Sequence, residues 1–466
     1  RMKKIFSIIT VLFVSLMLVA CDTANGETVE LTVYSQLANS RGVMKGWFAQ
    51  VVEEKFNVKL NIIPDDAGVY TSLMQSGNLG DLVVWGSDGE NYNNAVAAGL
   101  LLDWDEYNLL DQKVKGQSES VGHYIKEHMG QALDKNREIS GGKLYGFGHN
   151  VAPSAENHES FFYTWDIRWD LYEKLGRPAV KDLNDLITLL KAMKQEQPKD
   201  DAGNETYAVS LWPDWDETMV MYVKSMATAY YGYDELHMGM YNPEDGTFYP
   251  TLANNGPYLE MLKFFFQLNQ EGLLDPSSRT QTFDEMSAKV ANGGTLFSIF
   301  DYAGSTYFNT DANLQKNRIM LPLVPEDARP IVYGLNPMGG SRIWSIGSKT
   351  KHAKLVMQIL NWLSTPEGRL TAEYGPKGVT WDYDENGKTY ATELGHQFQK
   401  DKNSSFPEGH KYEGTFNAGD FEINNTTWSL SSINPESGEP YDYKLWASNR
   451  VAAKNDIEKT WREINE

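Results

Sequence analysis

The stretch Trp212-Pro213-Asp214-Trp215-Asp216-Glu217 carries the residue types and spacing best suited to chemistry. Two indoles flank a carboxylate, with two more acids directly behind. Indole faces stack on the C–H faces of a sugar ring, and carboxylates accept pairs of hydroxyl hydrogen bonds. Asp216 has a plainer reading as the N-cap of the helical pattern that follows. A glycosidase pair is the catalytic alternative, but its two acids must face each other across a bond, and neighbours on one turn cannot. The sequence has no His-Glu-x-x-His, Gly-x-Ser-x-Gly or phosphate-loop pattern, and its eight histidines are scattered. These residues therefore point to binding without catalysis, with Trp212, Asp214 and Trp215 as contacts.

These side chains need a scaffold, and the hydrophobic periodicity supplies one. Val29, Leu31 and Val33 alternate with polar residues, Val43–Phe56 has helical spacing, and Val58, Leu60 and Ile62 form a second strand. A short helix over Tyr70–Gln75 and a buried strand at Leu82–Trp85 complete a β-α-β-α-β order, which implies a parallel sheet with right-handed crossovers. Ligands in such sheets bind beyond the carboxyl ends of the strands. That places Gln36, Trp85 and Asp88 among the candidates. Phe161–Trp165 reads as a further buried strand, with Tyr163 and Trp165 in the core. From Arg168 the pattern turns helical: Trp169–Leu175, Leu183–Gln195, Thr218–Tyr230, Tyr258–Glu271 and Asp284–Asn292. Strands are expected at Thr295–Phe300 and Ile319–Val324, and an amphipathic helix at Ala353–Leu363. Asp301 and Tyr302 follow a returning strand, Arg342 and Trp344 follow Gly339-Gly340, and Trp381 follows Gly378-Val379-Thr380. All five join the ligand-binding candidates. Arg168 is balanced between an ion pair and a ligand contact.

The first residues are of another kind. Ile5–Ala20 is an apolar run behind Lys3 and Lys4, shorter than the ~20 residues a spanning helix needs, which is the anatomy of a secretory signal. It closes in Leu18-Val19-Ala20-Cys21, which resembles a bacterial lipobox. Cys21 is the single cysteine, so it is expected to carry lipid and to leave a large core, with no disulfide, to hold the fold. Residues 22–28 read as a tether. The expected location is the extracellular face of the cell membrane. The formal charge of −21 argues against nucleic acid and anionic lipid headgroups as partners. The length exceeds what one core supports, so two lobes are expected.

Several separated segments together resemble one family. They include Ser76-Gly77-Asn78-Leu79-Gly80-Asp81, Ala98-Gly99-Leu100-Leu101-Leu102-Asp103, Gly142-Lys143-Leu144-Tyr145-Gly146 and Lys174-Leu175-Gly176. Glu271-Gly272-Leu273-Leu274-Asp275-Pro276, Ser364-Thr365-Pro366-Glu367-Gly368 and Tyr374-Gly375-Pro376-Lys377-Gly378-Val379 continue the series. Their order resembles the extracellular solute-binding lipoproteins of carbohydrate ABC importers, family 1-type, in the oligosaccharide branch. The resemblance implies an α/β, two-lobed periplasmic-binding-protein-like fold with a hinge and an interlobe ligand cleft. Lobe 1 is expected over 29–155 plus 305–365, and lobe 2, rich in helices, over 156–304 plus 366–466. It also implies an oligosaccharide ligand and ABC permease subunits as partners; a monomer and no cofactor are expected, and the acidic balance with Asp214 and Asp301 favours a neutral sugar. Other readings are a non-sugar ligand such as a peptide, or a sensor or adhesion lipoprotein. Members of this branch often carry a calcium loop. Here Asp200-Asp201-Ala202-Gly203-Asn204-Glu205 is shorter and lacks the closing acids, so no metal is expected.

Overall fold

The structure, a computed structural model, describes residues 26–38, 40–152, 158–159, 163–421, 423–424, 429–449 and 453–465. The apolar leader, Cys21, most of the tether and the Phe161-Phe162 half of one expected strand lie outside the described residues. The chain divides into two compact units, Arg1–Glu159 with Gly334–Arg450 and Ser160–Tyr333 with Val451–Glu466. No helix among the described residues is long and apolar enough to cross a membrane.

The first unit is built on a six-stranded sheet. Its order is Gly42–Val43, Val58–Pro64, Val29–Ser35, Leu82–Val84, Ile343–Ile346 and Gly146–Gly148. Val29–Ser35 runs parallel to both of its neighbours, with Val33 opposite Ile62 and Leu82. The remaining pairings are antiparallel. The alternation read from the sequence has a direct use here. Leu31 and Val33 face a core shared with Trp47, Phe48 and Val52, while Tyr34 faces a separate cluster with Trp85 and Tyr92.

The first helix begins at Trp47 and not at Val43, which is in a strand. Gly46 explains the delay. It adopts φ 94°, and a Cβ there would lie 2.3 Å from the Cα of Gly419, so only glycine fits.

That contact also corrects the expected division of the chain. Residues 366–450 pack in the first unit, not with the helix-rich one. Trp47 stacks on Phe416 at 5.0 Å and donates Nε1–H to its carbonyl at 2.8 Å, and Ser35 Oγ donates to the Ile423 carbonyl. Residues 305–333 go the other way, because Met320–Pro322 pairs with Asp166–Arg168 in the second unit.

The second unit has a three-stranded antiparallel sheet with Asp166–Arg168 at its centre, between Phe297–Ser298 and Met320–Pro322. The Phe161–Trp165 run supplies no strand among its described residues. Trp165 takes φ 53°, a left-handed turn, and pairing starts only after it. Its ring and Ile167 are buried in the core, as expected for Trp165. The helices form where the periodicity puts them, with ends set by caps. Asp182 accepts from the Asp185 N–H to start Leu183–Glu196, and Thr282 with Glu285 makes a reciprocal capping box for Phe283–Ala291. Helices Val220–Tyr231 and Pro257–Gln270 bury Met226, Met261 and Leu268 against each other and the sheet. The last helix, Asp456–Asn465, adds Ile457 and Trp461 to this core.

Candidate functional site

The Trp212–Glu217 stretch lies just before helix Val220–Tyr231 in the second unit and gathers an aromatic cluster around it. Trp212 is buried, with edge-on contacts to Trp215, Tyr222 and Phe283 at 4.9–5.2 Å. It is the base of the cluster and not a ring face for a ligand. Trp215 is the face: 52 % of it is exposed, and its other side is stacked on Phe283 at 4.6 Å. Tyr302 stands beside it at 5.6 Å and is in turn stacked on Phe300 at 4.8 Å. Asp214 is exposed, and its Oδ2 accepts from the Phe283 N–H at 3.0 Å. This bond pins the acid to the start of the next helix and leaves Oδ1 without a protein hydrogen bond among the described residues.

Asp216 is not the N-cap, which is Met219, but it braces the start of the helix from three residues earlier. It accepts from the Thr218 N–H and hydroxyl and from the Met221 N–H. Burial raises its pKa, but those hydrogen bonds outweigh burial and hold it below the usual carboxylate range. Asp301 accepts from the adjacent Tyr302 N–H, fixing the turn that presents the Tyr302 ring. Burial pushes the Tyr302 hydroxyl well above its ordinary pKa, so it is a neutral donor at physiological pH.

Sequence reasoning missed a second feature of the same unit. Tyr163, Lys224, Glu235, Leu236, His237 and Tyr333 line an open pocket of about 420 Å³. Lys224, itself buried, donates to the Leu236 and His237 carbonyls at 2.7 and 3.1 Å and so holds the turn that carries Glu235. Tyr333 donates to Asp234 at 2.7 Å. The segment before Tyr333 is held by a close approach. Arg329 N–H bonds to the Tyr230 carbonyl, and a Cβ at Gly232 would sit 2.2 Å from the Arg329 oxygen. Burial raises the Glu235 pKa, with Lys224 opposing and Asp234 adding to it. Tyr163 is raised to about 12, mainly by burial.

Three other tryptophan candidates need correction. Trp85, Trp344 and Trp381 are 0 % exposed, and their partners lie within the first unit. Trp85 is wedged edge-on among Tyr34, Tyr70 and Tyr92. Trp344 lies flat on His149 at 4.7 Å, and burial brings that imidazole down to about 3, so it is neutral. Trp381 donates Nε1–H to the Gly375 carbonyl at 2.8 Å. Each follows or occupies a strand, but on the face that packs inward.

Gln36 is partly buried at the carboxyl edge of the parallel strands. It accepts from the Gly86 N–H at 2.9 Å and donates to the Tyr34 hydroxyl, which donates to Asp65. Asp88 lies 4.0 Å from Lys135 on the same edge. Arg342 is exposed and gives its carbonyl to His149. Arg168 is structural: its buried guanidinium grips Asp170 through two hydrogen bonds of 2.9 and 2.7 Å and covers the Phe308 ring.

In the Asp200–Glu205 loop the acids are already engaged. Asp200 accepts from the Ala202 and Asn204 N–H groups, Asp201 pairs with Arg318 and Lys316, and Glu205 with Lys194. Among the described residues no three His, Cys, Asp or Glu side chains gather as a metal site would require.

No family model and no curated protein matches the chain. Solved structures do. The chain is similar to an alginate-binding protein solved without calcium ion, at 16 % identity and a TM-score of 0.54, over 94 % of this chain and 82 % of that one. A solute-binding protein from Bifidobacterium longum infantis, described as HMO-binding and ABC-transporter-associated, is 15 % identical with a TM-score of 0.54, over 93 % and 81 %. An extracellular solute-binding protein from Bifidobacterium longum subsp. infantis gives 15 %, 0.53, and 95 % and 89 %. At these identities the likeness is one of fold, and it agrees with the α/β fold class expected from the sequence.

Proposed function

We propose that this chain is a solute-binding protein that captures a neutral oligosaccharide outside the cell and passes it to the membrane subunits of an ABC importer, tethered through lipid on Cys21. The observation that carries the reading is the exposed Trp215 face, backed by Phe283 and flanked by Asp214. A rigid ring held from behind stacks on a sugar without losing side-chain freedom, and a carboxylate with one oxygen already tied down offers the other to hydroxyls. The fold likeness supports the solute-binding part of this reading, since the similar structures include an alginate-binding protein and an HMO-binding one, and leaves the charge of the ligand to the residues of this chain. The acids of this stretch disfavour uronates and phosphosugars by like-charge repulsion. Asp216 is occupied by the Thr218 hydroxyl and the Met221 N–H at the start of the helix, which removes it from any catalytic pair.

Calorimetry of the purified protein against a panel of neutral glycans and peptides tests the proposal. A glycan should bind without being cleaved. Trp215→Ala and Asp214→Asn should each weaken it by roughly ten- to a hundredfold, the equivalent of ~1.5–3 kcal/mol for a charge-assisted hydrogen bond or a stacked ring. Phe266→Ala removes another exposed ring, on helix Pro257–Gln270, and should leave affinity unchanged. Full affinity in both site variants, or cleavage of the glycan, refutes the reading.

A further inference from the structure

The pocket of Tyr163, Glu235 and Tyr333 and the Trp215 face belong to one unit, and a continuous path of rings joins them. Tyr163 lies 6.0 Å from Phe300, Phe300 is stacked on Tyr302 at 4.8 Å, and Tyr302 lies 5.6 Å from Trp215. The pocket's volume of about 420 Å³ falls within the ~300–1,000 Å³ of small-ligand sites. Its chemistry is as legible as that of the first face. Tyr163 supplies a half-buried ring and Tyr333 an exposed one, while Glu235 supplies a carboxylate whose only described hydrogen bond is a long one, 3.5 Å, from Ser225.

Charge selects the occupant. The Lys224 ammonium beside Glu235 offsets the attraction a cation would feel. Its buried nitrogen is held by two carbonyls, so it serves the turn more than the pocket. Asp234, bonded to Tyr333, and Asp301 near Tyr302 repel an anion. What fits is a neutral ring bearing adjacent hydroxyls for the carboxylate and C–H faces for the tyrosines.

We propose that the pocket of Tyr163, Glu235 and Tyr333 is a second sugar subsite, which holds another unit of the chain stacked on Trp215 and thereby sets a preference for longer oligosaccharides. The inference rests on the proposed sugar-binding function. Glu235 is the residue that discriminates length, and Trp215 anchors a unit that every ligand has. Tyr333 is set in place by its bond to Asp234, and Glu235 by the Lys224-bound turn.

The test is a chain-length series. Neutral gluco-, galacto-, manno- and fructo-oligosaccharides of one to five units are titrated calorimetrically into wild type, Trp215→Ala, Glu235→Gln and Tyr163→Ala. Wild-type affinity should rise with length in the series that binds. Trp215→Ala should weaken every length. Glu235→Gln and Tyr163→Ala should leave the shortest binder unchanged and remove about tenfold or more of the gain shown by the longer ones. Glutamine preserves the shape of Glu235 and relieves a charge that burial disfavours, so a melting temperature that is unchanged or raised in that variant separates lost binding from lost folding. If glycans bind and Trp215→Ala weakens them, but Glu235→Gln and Tyr163→Ala keep the full length gain, the subsite is refuted and the proposed function stands. If no glycan binds wild type, both fall.

Discussion

Glu373→Gln should stabilise the protein at pH 8 and have a much smaller effect at pH 5. Glu373 lies in the last turn of helix Pro366–Tyr374, where the unsatisfied carbonyls disfavour a negative charge. Burial is the main cause that raises its pKa, to about 7; Asp420 and Asp442 push the same way, and Lys402 opposes. The unfolded chain releases this proton near 4.5, so between 4.5 and about 7 the native state holds more protons than the unfolded one. The stability it contributes is fully present below pH 4.5 and is lost as pH rises through 7. At about 1.4 kcal/mol per pH unit that window gives ~3 kcal/mol at most, and roughly 2 kcal/mol once the partial solvent contact of Glu373 is allowed for. Glutamine keeps the shape and has no charge to bury. His149 acts in the opposite sense, since its lowered pKa makes its contribution present above pH 6.5 and lost as pH falls towards 3. It is common to both proteins and drops out of the difference. Urea unfolding followed by near-UV circular dichroism at pH 5, 6, 7 and 8 measures that difference directly. An equal effect at every pH, or destabilisation at pH 8, refutes the assignment.

Trp381→Ala should destabilise the first unit by about 3–5 kcal/mol, because it empties a fully buried indole site and orphans the Gly375 carbonyl; urea unfolding checks this, and a loss under 1 kcal/mol would put the ring outside the core. Cys21→Ala should release the protein from cells into the medium, as fractionation and immunoblotting would show, and retention at the membrane would refute the lipid tether.

The parallel strands were legible because each carries its own signal: Val29, Leu31 and Val33 alternate, and Pro64 and Gly86 end neighbouring runs. Helices with sequence-visible caps, such as Asp182 and Thr282, were legible for the same reason. The division into units was not. The docking of 366–450 depends on Gly46 meeting Gly419 and Trp47 meeting Phe416, the latter 369 positions apart, and such contacts leave no local pattern. Tryptophans after strands were read as facing a ligand, but a strand has two faces, and periodicity does not say which one a neighbouring segment covers. Trp85 and Trp344 lie on covered faces for that reason, while Trp215, on a loop, is exposed. The Glu235 pocket escaped notice because Tyr163, Lys224, Glu235 and Tyr333 come from four separate stretches. Only the tyrosine-rich Tyr230-Tyr231-Gly232-Tyr233 run near it offered a hint.

The interleaving of the two units has a consequence for the order in which they are made. A chain made N-terminus first delivers Val29–Ser35, Val58–Pro64 and Leu82–Val84 early, yet that sheet is left with a raw edge. Ile343–Ile346, the strand that covers Leu82–Val84 and joins Gly146–Gly148, arrives only after the whole of 163–333 has passed. Phe416 and Ile423, which close over Trp47 and Ser35, come later still. The inserted segment faces no such delay. All the strands of its two three-stranded sheets lie between Asp166 and Pro322, and it waits for the helix Asp456–Asn465. The guest therefore has its full set of strands before its host does. The N-terminal strands, made first, spend the longest time exposed and depend most on whatever shields the nascent chain.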